Sequence, residues 1–261
     1  MDARSMPAGP TARIALTTET SRLGRYAARC QASPPRHLGR RYDAGGTFLH
    51  EPGNTIVCHL VEGSPSQAAI VEVRRRMGAM PDASRLAFTP IDSLHMTLFQ
   101  GILEDRRDPP FWPAGMPRDT SIAAMTEHYL ARLATFTAAE PFQVEIVDVV
   151  PTGLTVAGAT QADRRAMKAW RDAFAEVFGY RHPDHDGYSF HVTLAYMIEW
   201  LPEDRLPAWQ GLLDDCLADL RRSPRIALRP PAFCSFEDMK HFRILREFPQ
   251  PAAPSDSSAG A

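Results

Sequence analysis

Residues 93–99, Ser-Leu-His-Met-Thr-Leu-Phe, and residues 189–196, Ser-Phe-His-Val-Thr-Leu-Ala-Tyr, contain one pattern twice: His95-Met96-Thr97-Leu98 and His191-Val192-Thr193-Leu194. Polar and apolar residues alternate through both stretches, which makes each a strand. In a strand, residues i and i+2 project from one face. His95 and Thr97 therefore share a face, as do His191 and Thr193, while Met96, Leu98, Val192 and Leu194 enter an apolar layer. A core behind the polar faces would have to supply partners for two imidazoles and two hydroxyls. Each group left unpaired there costs about 1–3 kcal/mol. A lone His-x-Thr strand is commonly structural, but two matched copies point to a shared pocket.

Working outward, the pattern predicts a strand over 54–61 and a helix over 65–77, with Ser64 as N-cap and Pro65 at its first position. The first motif strand covers 94–99, and the Pro-rich stretch 108–117 is a loop. A helix over 119–137 follows, then strands over 142–149 and 154–157 joined through Pro151-Thr152-Gly153. The helix over 163–178 puts Met167, Trp170, Phe174 and Phe178 on its inner face and stops at Gly179. The second motif strand covers 190–196, and a helix over 203–222 leads to strands near 225–228, 232–237 and 242–246. Strand, helix, motif strand and helix thus recur in two analogous halves. The order lacks the regular march of a doubly wound parallel sheet, so the class is α+β. Residues 1–44 form an N-terminal extension, partly helical near 21–29; residues 249–261 form a tail that is disordered by composition.

At 261 residues the chain can bury a substantial core, and 44% apolar with 23% charged residues is ordinary globular composition. No apolar run approaches the roughly 18 residues of a membrane span. The N-terminus lacks a basic region followed by an apolar one, so no secretory signal is read and cytoplasmic residence is expected. A net charge of −2 argues against a broad polyanion-binding surface. A small nucleotide or short RNA fits better than duplex DNA, and a monomer is expected. Arg36-His37 with Arg40-Arg41 form a local basic cluster; Arg74 to Arg76 and Arg221 to Arg222 read as solvated helix faces. Cys30, Cys58, Cys216 and Cys234 make no C-x-x-C pair and read as small hydrophobes without chemistry.

Two imidazoles beside two hydroxyls suit phosphodiester chemistry without a metal or cofactor. A neutral imidazole takes a proton from attacking water and a protonated one gives a proton to the leaving oxygen. Threonine hydroxyls can donate to the non-bridging phosphate oxygens. Further candidates for substrate binding are Phe99, Asn54 and Tyr196. Phe99, four residues after His95, is placed on the cleft face, to stack on a base or to join the core. Asn54, after Pro52-Gly53, is a turn residue or a phosphate or ribose contact. Tyr196, five residues after His191, faces away from it unless a bulge re-aims it. Gln100, Tyr188 and Lys240-His241 are weaker candidates. His182-Pro183-Asp184-His185-Asp186 concentrates metal-ligand types, but Pro183 and Gly187 mark a solvated loop.

At the paired motifs the sequence resembles the two-histidine (2H) phosphoesterase superfamily, which includes RNA 2′,3′-cyclic phosphodiesterases and bacterial 2′–5′ RNA ligase-like proteins. Its signature is a pair of His-x-Thr/Ser-x motifs on symmetric lobes, and both copies here match it. The likeness runs over residues 45–248; Gly45 to Leu60 and the Gly187 to Tyr196 form of the second motif look like a bacterial and fungal branch. The resemblance implies two pseudo-symmetric lobes, each an antiparallel sheet flanked by helices, with the active-site cleft between them. It implies metal-independent attack on a cyclic or 2′–5′ phosphoester, with His95, Thr97, His191 and Thr193 catalytic. For ring opening, His191 is expected as base and His95 as acid, the roles exchanging with substrate orientation. The alternatives are a nucleotide- or RNA-end-binding module without turnover, and a metal-dependent phosphatase using residues 182–186.

Overall fold

The alternation read in the motif strands continues through their neighbours and produces a layered α+β fold. In the computed structural model, which describes residues 22–137 and 139–249, eight strands form one antiparallel sheet and two more pair separately. One half of the large sheet contains β1 (Gly53–His59), β3 (His95–Leu103), β9 (Ala232–Phe236) and β10 (Arg243–Glu247). The other contains β4 (Val144–Val150), β5 (Gly153–Gly158), β6 (Phe190–Thr193) and β8 (Arg225–Ile226). The strand order is β10-β9-β1-β3-β6-β5-β4-β8, so the two motif strands are neighbours at the seam. The small sheet pairs β2 (Leu86–Phe88) with β7 (Ala195–Met197).

The two halves are built alike. In one, β1 leads through α1 (Pro65–Gly78) to β3; in the other, β5 leads through α3 (Gln161–Phe178) to β6. The lobes join into one sheet through the pair Met96 and Val192. Across that seam the register aligns Cys58, Met96, Val192 and Leu154 in one row. All four are buried on the helical side. There α3 packs on β3 and β5, α2 (Ile122–Arg132) on β1 and β3, and α4 (Leu206–Leu220) on β4. Trp170, Phe174 and Phe178 of α3 are fully buried, and Phe136 stacks on Phe174 at 4.6 Å. Each such side chain contributes roughly 1.5–3 kcal/mol of burial free energy. The opposite face of the sheet is left for the polar residues of the motifs.

Helix α3 is closed at both ends. The Thr160 hydroxyl accepts from the Asp163 amide at 3.1 Å, and the Asp163 carboxylate accepts from the Thr160 amide at 2.8 Å. Gly179 ends the helix in the left-handed conformation at φ 75°. Replacing Thr160 with alanine is expected to lower unfolding free energy by about 1 kcal/mol, read from urea denaturation; an unchanged midpoint would contradict the capping role.

Three expectations need correction. The short helix near 21–29 is instead two 3₁₀ turns, Gly24–Tyr26 and Ala28–Cys30. Residue 21 lies outside the described residues. The segment is too short to nucleate an α-helix and is tied down by chain contacts, Ala28 N–H to Leu201 O at 2.9 Å and Leu201 N–H to Tyr26 O at 2.8 Å. The strand expected over 190–196 breaks at Leu194 into β6 and β7. The expected helix over 203–222 is a 3₁₀ turn followed by α4. Residues 250–261 of the expected tail lie outside the described residues. Cys58, Cys216 and Cys234 are buried, and Cys30 is exposed. Among the described residues no helix is long and apolar enough to cross a membrane.

Candidate active site

With Met96 opposite Val192 in an antiparallel pair, the flanking residues fall into a crossed arrangement: His95 opposite Thr193 and Thr97 opposite His191. Facing residues in such a pair have Cβ atoms roughly 5 Å apart. All four side chains line one cavity of about 100 Å³. The two copies are also oriented alike. His95 Nδ1 lies 2.6 Å from the Ser93 carbonyl, and His191 Nδ1 lies 3.1 Å from the Ser189 carbonyl. A carbonyl only accepts, so each Nδ1 carries the proton and each neutral ring keeps its lone pair on Nε2. The Thr97 and Thr193 hydroxyls bond no other protein group among the described residues, which leaves both for a ligand.

His95 is the more enclosed of the two imidazoles. The Phe242 ring lies 4.2 Å from it and the His59 ring 5.9 Å. Burial pushes its pKa down to about 3; the Ser93 carbonyl opposes this, and the nearby His59 and His191 add to it. His95 is therefore neutral at neutral pH. Removing the Phe242 ring admits water, which favours the imidazolium. In Phe242→Ala the His95 pKa is expected to rise toward the ordinary value of about 6.5. NMR titration of the His95 ring protons checks this. A wild-type ring that already titrates near that value would refute the account.

The break at Leu194 shapes the cleft wall. The Thr89 hydroxyl reaches the Thr193 and Leu194 carbonyls, each at 3.1 Å, and the Leu194 amide turns to Thr152 O at 2.9 Å. This re-aims Tyr196 into the cleft, where it stacks on Tyr42 at 5.4 Å. The Arg41 guanidinium lies over the Tyr196 ring at 5.4 Å and donates to the buried Glu51 at 2.5 Å. Arg41 thus puts a fixed positive charge on the wall of the histidine cavity. A second cavity of about 480 Å³ adjoins the first and shares His191, Thr193 and Tyr196 with it.

A family model described as 2H-phosphodiest, a domain of unknown function (DUF1868), matches residues 41–155. The crystal structure of the conserved protein of unknown function ATU0111 from Agrobacterium tumefaciens str. C58 is 51% identical, covering 87% of this chain and 98% of that one, with a TM-score of 0.86. Residues 41–155 belong to the 2H phosphoesterase superfamily. The crystal structure of TT0787 from Thermus thermophilus is 17% identical, covering 75% of this chain and 96% of that one, with a TM-score of 0.40. No curated protein matches. The family match spans the first motif, and the likeness to the Agrobacterium protein covers both halves of the fold.

Several candidate residues occupy other places in this fold than the alternation predicts. Phe99 does not face the cleft. In the pairing with β1, Thr97 meets Val57 but Phe99 meets Ile56, so Leu98 is an inserted residue, a β-bulge. The bulge turns Phe99 into the core against Phe178 at 5.1 Å, and Gln100 takes the place on the cleft wall. The Leu98 carbonyl is taken up by the buried Arg171, at 2.7 Å. Asn54 is at the base of the cavity, where it donates one amide hydrogen to Thr126 Oγ1 at 3.1 Å and accepts from the Ile102 amide at 3.0 Å. It ties β1, β3 and α2 together from within β1, so it is a strand residue and not a turn residue. The loop 182–186 braces the first motif strand. His182 Nε2 meets the Gln100 carbonyl at 2.8 Å, and His185 Nε2 meets Asp172 at 2.9 Å. Asp172, His185 and Asp186 do cluster. Lys168 and Arg181 already pair with both carboxylates, which suits a salt-bridge network better than a cation site. Tyr188 stacks on Arg171 at 3.9 Å, and Lys240 pairs with Asp238 at 3.0 Å. Arg41 is the site residue that sequence reasoning left among the surface basic clusters.

Proposed function

We propose that the protein is a metal-independent phosphodiesterase that opens the cyclic phosphate of a nucleotide or a short RNA end. The observation that carries this reading is the doubled arrangement of the motifs, with two Nδ1-tethered imidazoles and two unengaged hydroxyls around one phosphate-sized cavity. The phosphate sits between the motif strands, with Thr97 and Thr193 donating to its non-bridging oxygens and Arg41 offsetting its charge. One imidazole takes a proton from water as the water oxygen bonds to phosphorus. The P–O bond to one ribose oxygen breaks, and an imidazolium on the other side gives that oxygen its proton. Because burial keeps His95 neutral, we assign it as the base and His191 as the acid, the reverse of the order first expected from the sequence. The acid limb of kcat/KM should then lie below the ordinary histidine range.

The test is a panel of nucleoside 2′,3′-cyclic phosphates and 2′–5′ dinucleotides assayed with EDTA present, with the phosphomonoester product followed by phosphorus NMR. Turnover in EDTA supports the proposal. Turnover only after a metal is restored would sink it. A nucleotide-dependent rise in Tm with no product anywhere in the panel would instead identify a binding module.

A further inference from the structure

The larger cavity beside the histidines is walled by the N-terminal segment, and that wall is pinned in place. The Tyr26 hydroxyl meets Thr152 Oγ1 at 3.1 Å, the Tyr42 hydroxyl donates to Met197 O at 2.6 Å, and Trp200 Nε1 donates to Ser33 O at 2.7 Å. At about 480 Å³ the space falls within the range of roughly 300–1,000 Å³ that takes small ligands. Tyr26, Tyr196 and Trp200 give it aromatic walls, and Arg25 and Arg36 bring two cations to it. Neither arginine pairs with a carboxylate among the described residues, whereas nearby Arg40 is held by Glu51 and Asp105. Among the described residues no acidic side chain lines this cavity or the histidine cavity, although the chain has 31 acidic residues. Burial, then the positive charges of Arg41, Arg40, Arg36 and Arg106, push His37 on the same wall down to about 3. Its Nδ1 accordingly accepts from Arg40 at 2.9 Å.

A substrate with one scissile phosphate needs only the small cavity and its Arg41. The adjoining aromatic and cationic space calls for a base and a second anionic group. We infer that this cavity is a subsite for a nucleoside whose second phosphate, on the far side from the scissile one, meets Arg25 and Arg36. The inference rests on the proposed phosphodiesterase reading and narrows the substrate to nucleotides with at least two phosphates. The second phosphate is either a terminal 5′-phosphate or the internucleotide phosphate of an RNA end.

Isothermal titration of the full chain, with and without R25Q/R36Q, separates the cases without requiring turnover. The ligands are adenosine 3′-monophosphate, adenosine 3′,5′-bisphosphate and a dinucleotide ending in a 3′-phosphate. The bisphosphate is expected to bind about tenfold or more tighter than the monophosphate, as charge-assisted bonds to arginine provide. In R25Q/R36Q that ratio should fall close to one. A dinucleotide that matches or exceeds the bisphosphate identifies the internucleotide phosphate, and a weaker one identifies the terminal 5′-phosphate. Equal affinity for monophosphate and bisphosphate, or a ratio that survives in R25Q/R36Q, overturns the subsite but leaves the phosphodiesterase reading standing. Failure of the wild type to bind any of the three overturns both.

Discussion

Alanine at His95 or at His191 is expected to lower kcat/KM toward a cyclic phosphate by about 10²–10⁴-fold, the range of a lost general acid or base. At 1.36 kcal/mol per decade this is about 3–5 kcal/mol of transition-state stabilisation. The two replacements together should lose far less than the product of the single effects, because a proton relay broken at one end gains little from the other. His191 is exposed and His95 half-buried on the open face of the sheet, so circular dichroism should show both variants folded. Steady-state kinetics with EDTA present makes the measurement. A single variant that keeps more than about a tenth of wild-type kcat/KM would exclude that imidazole from the reaction.

The seam between the lobes is what makes this prediction specific. Met96 and Val192 are both fully buried, so the side chains on either side of them have to face out of the core. The apolar residues between the polar ones therefore set the direction of the polar ones. This part of the site was legible from alternation alone, as was the repeated strand–helix–strand order. The bond that sets each tautomer was not. Serine occupies the position two before each histidine, yet its backbone carbonyl makes the contact. Any residue type supplies a carbonyl, so the serine itself is no signal.

Phe99 and Tyr196 depart from simple alternation for a shared reason. Counting by twos assumes an unbroken strand, and one inserted residue reverses every side chain beyond it. The bulge at Leu98 is held by Arg171, and the break at Leu194 by Thr89 and Thr152. None of these is near its strand in sequence. Arg41 presents a different difficulty. In sequence it is one of several clustered arginines, and only tertiary pairing distinguishes them. Arg40 is spent on Glu51 and Asp105, while Arg41 also holds Glu51 but faces the cavity. The family match likewise begins at residue 41, so the wall built by residues 22–40 lies outside what the family pattern conveys.

Gly153→Ala should be the most damaging small substitution in the molecule. Gly153 opens β5 at φ 143°, a conformation that side chains rarely adopt, and it pairs with Thr193 of the second motif. A Cβ there would lie 2.1 Å from the Val192 carbonyl oxygen and 2.9 Å from the Leu194 amide nitrogen. Both are backbone atoms, so no flexible side chain can yield. Either Gly153 changes φ, which disturbs the turn that presents Thr152 to Leu194, or β6 moves away from β5. We expect a loss of about 2–4 kcal/mol of stability from strain and lost pairing. Because β6 positions His191 and Thr193, a shift on the order of 1 Å should also lower kcat/KM by roughly 10²-fold. Gly211→Ala in α4 is the control of opposite sign. Nothing lies within 4 Å of its added Cβ, and alanine in a helix interior stabilises by roughly 0.5–1 kcal/mol relative to glycine. Urea unfolding of the two variants should therefore bracket the wild type. If Gly153→Ala unfolds at the wild-type midpoint with full activity, the close contact between β5 and the second motif strand is wrong.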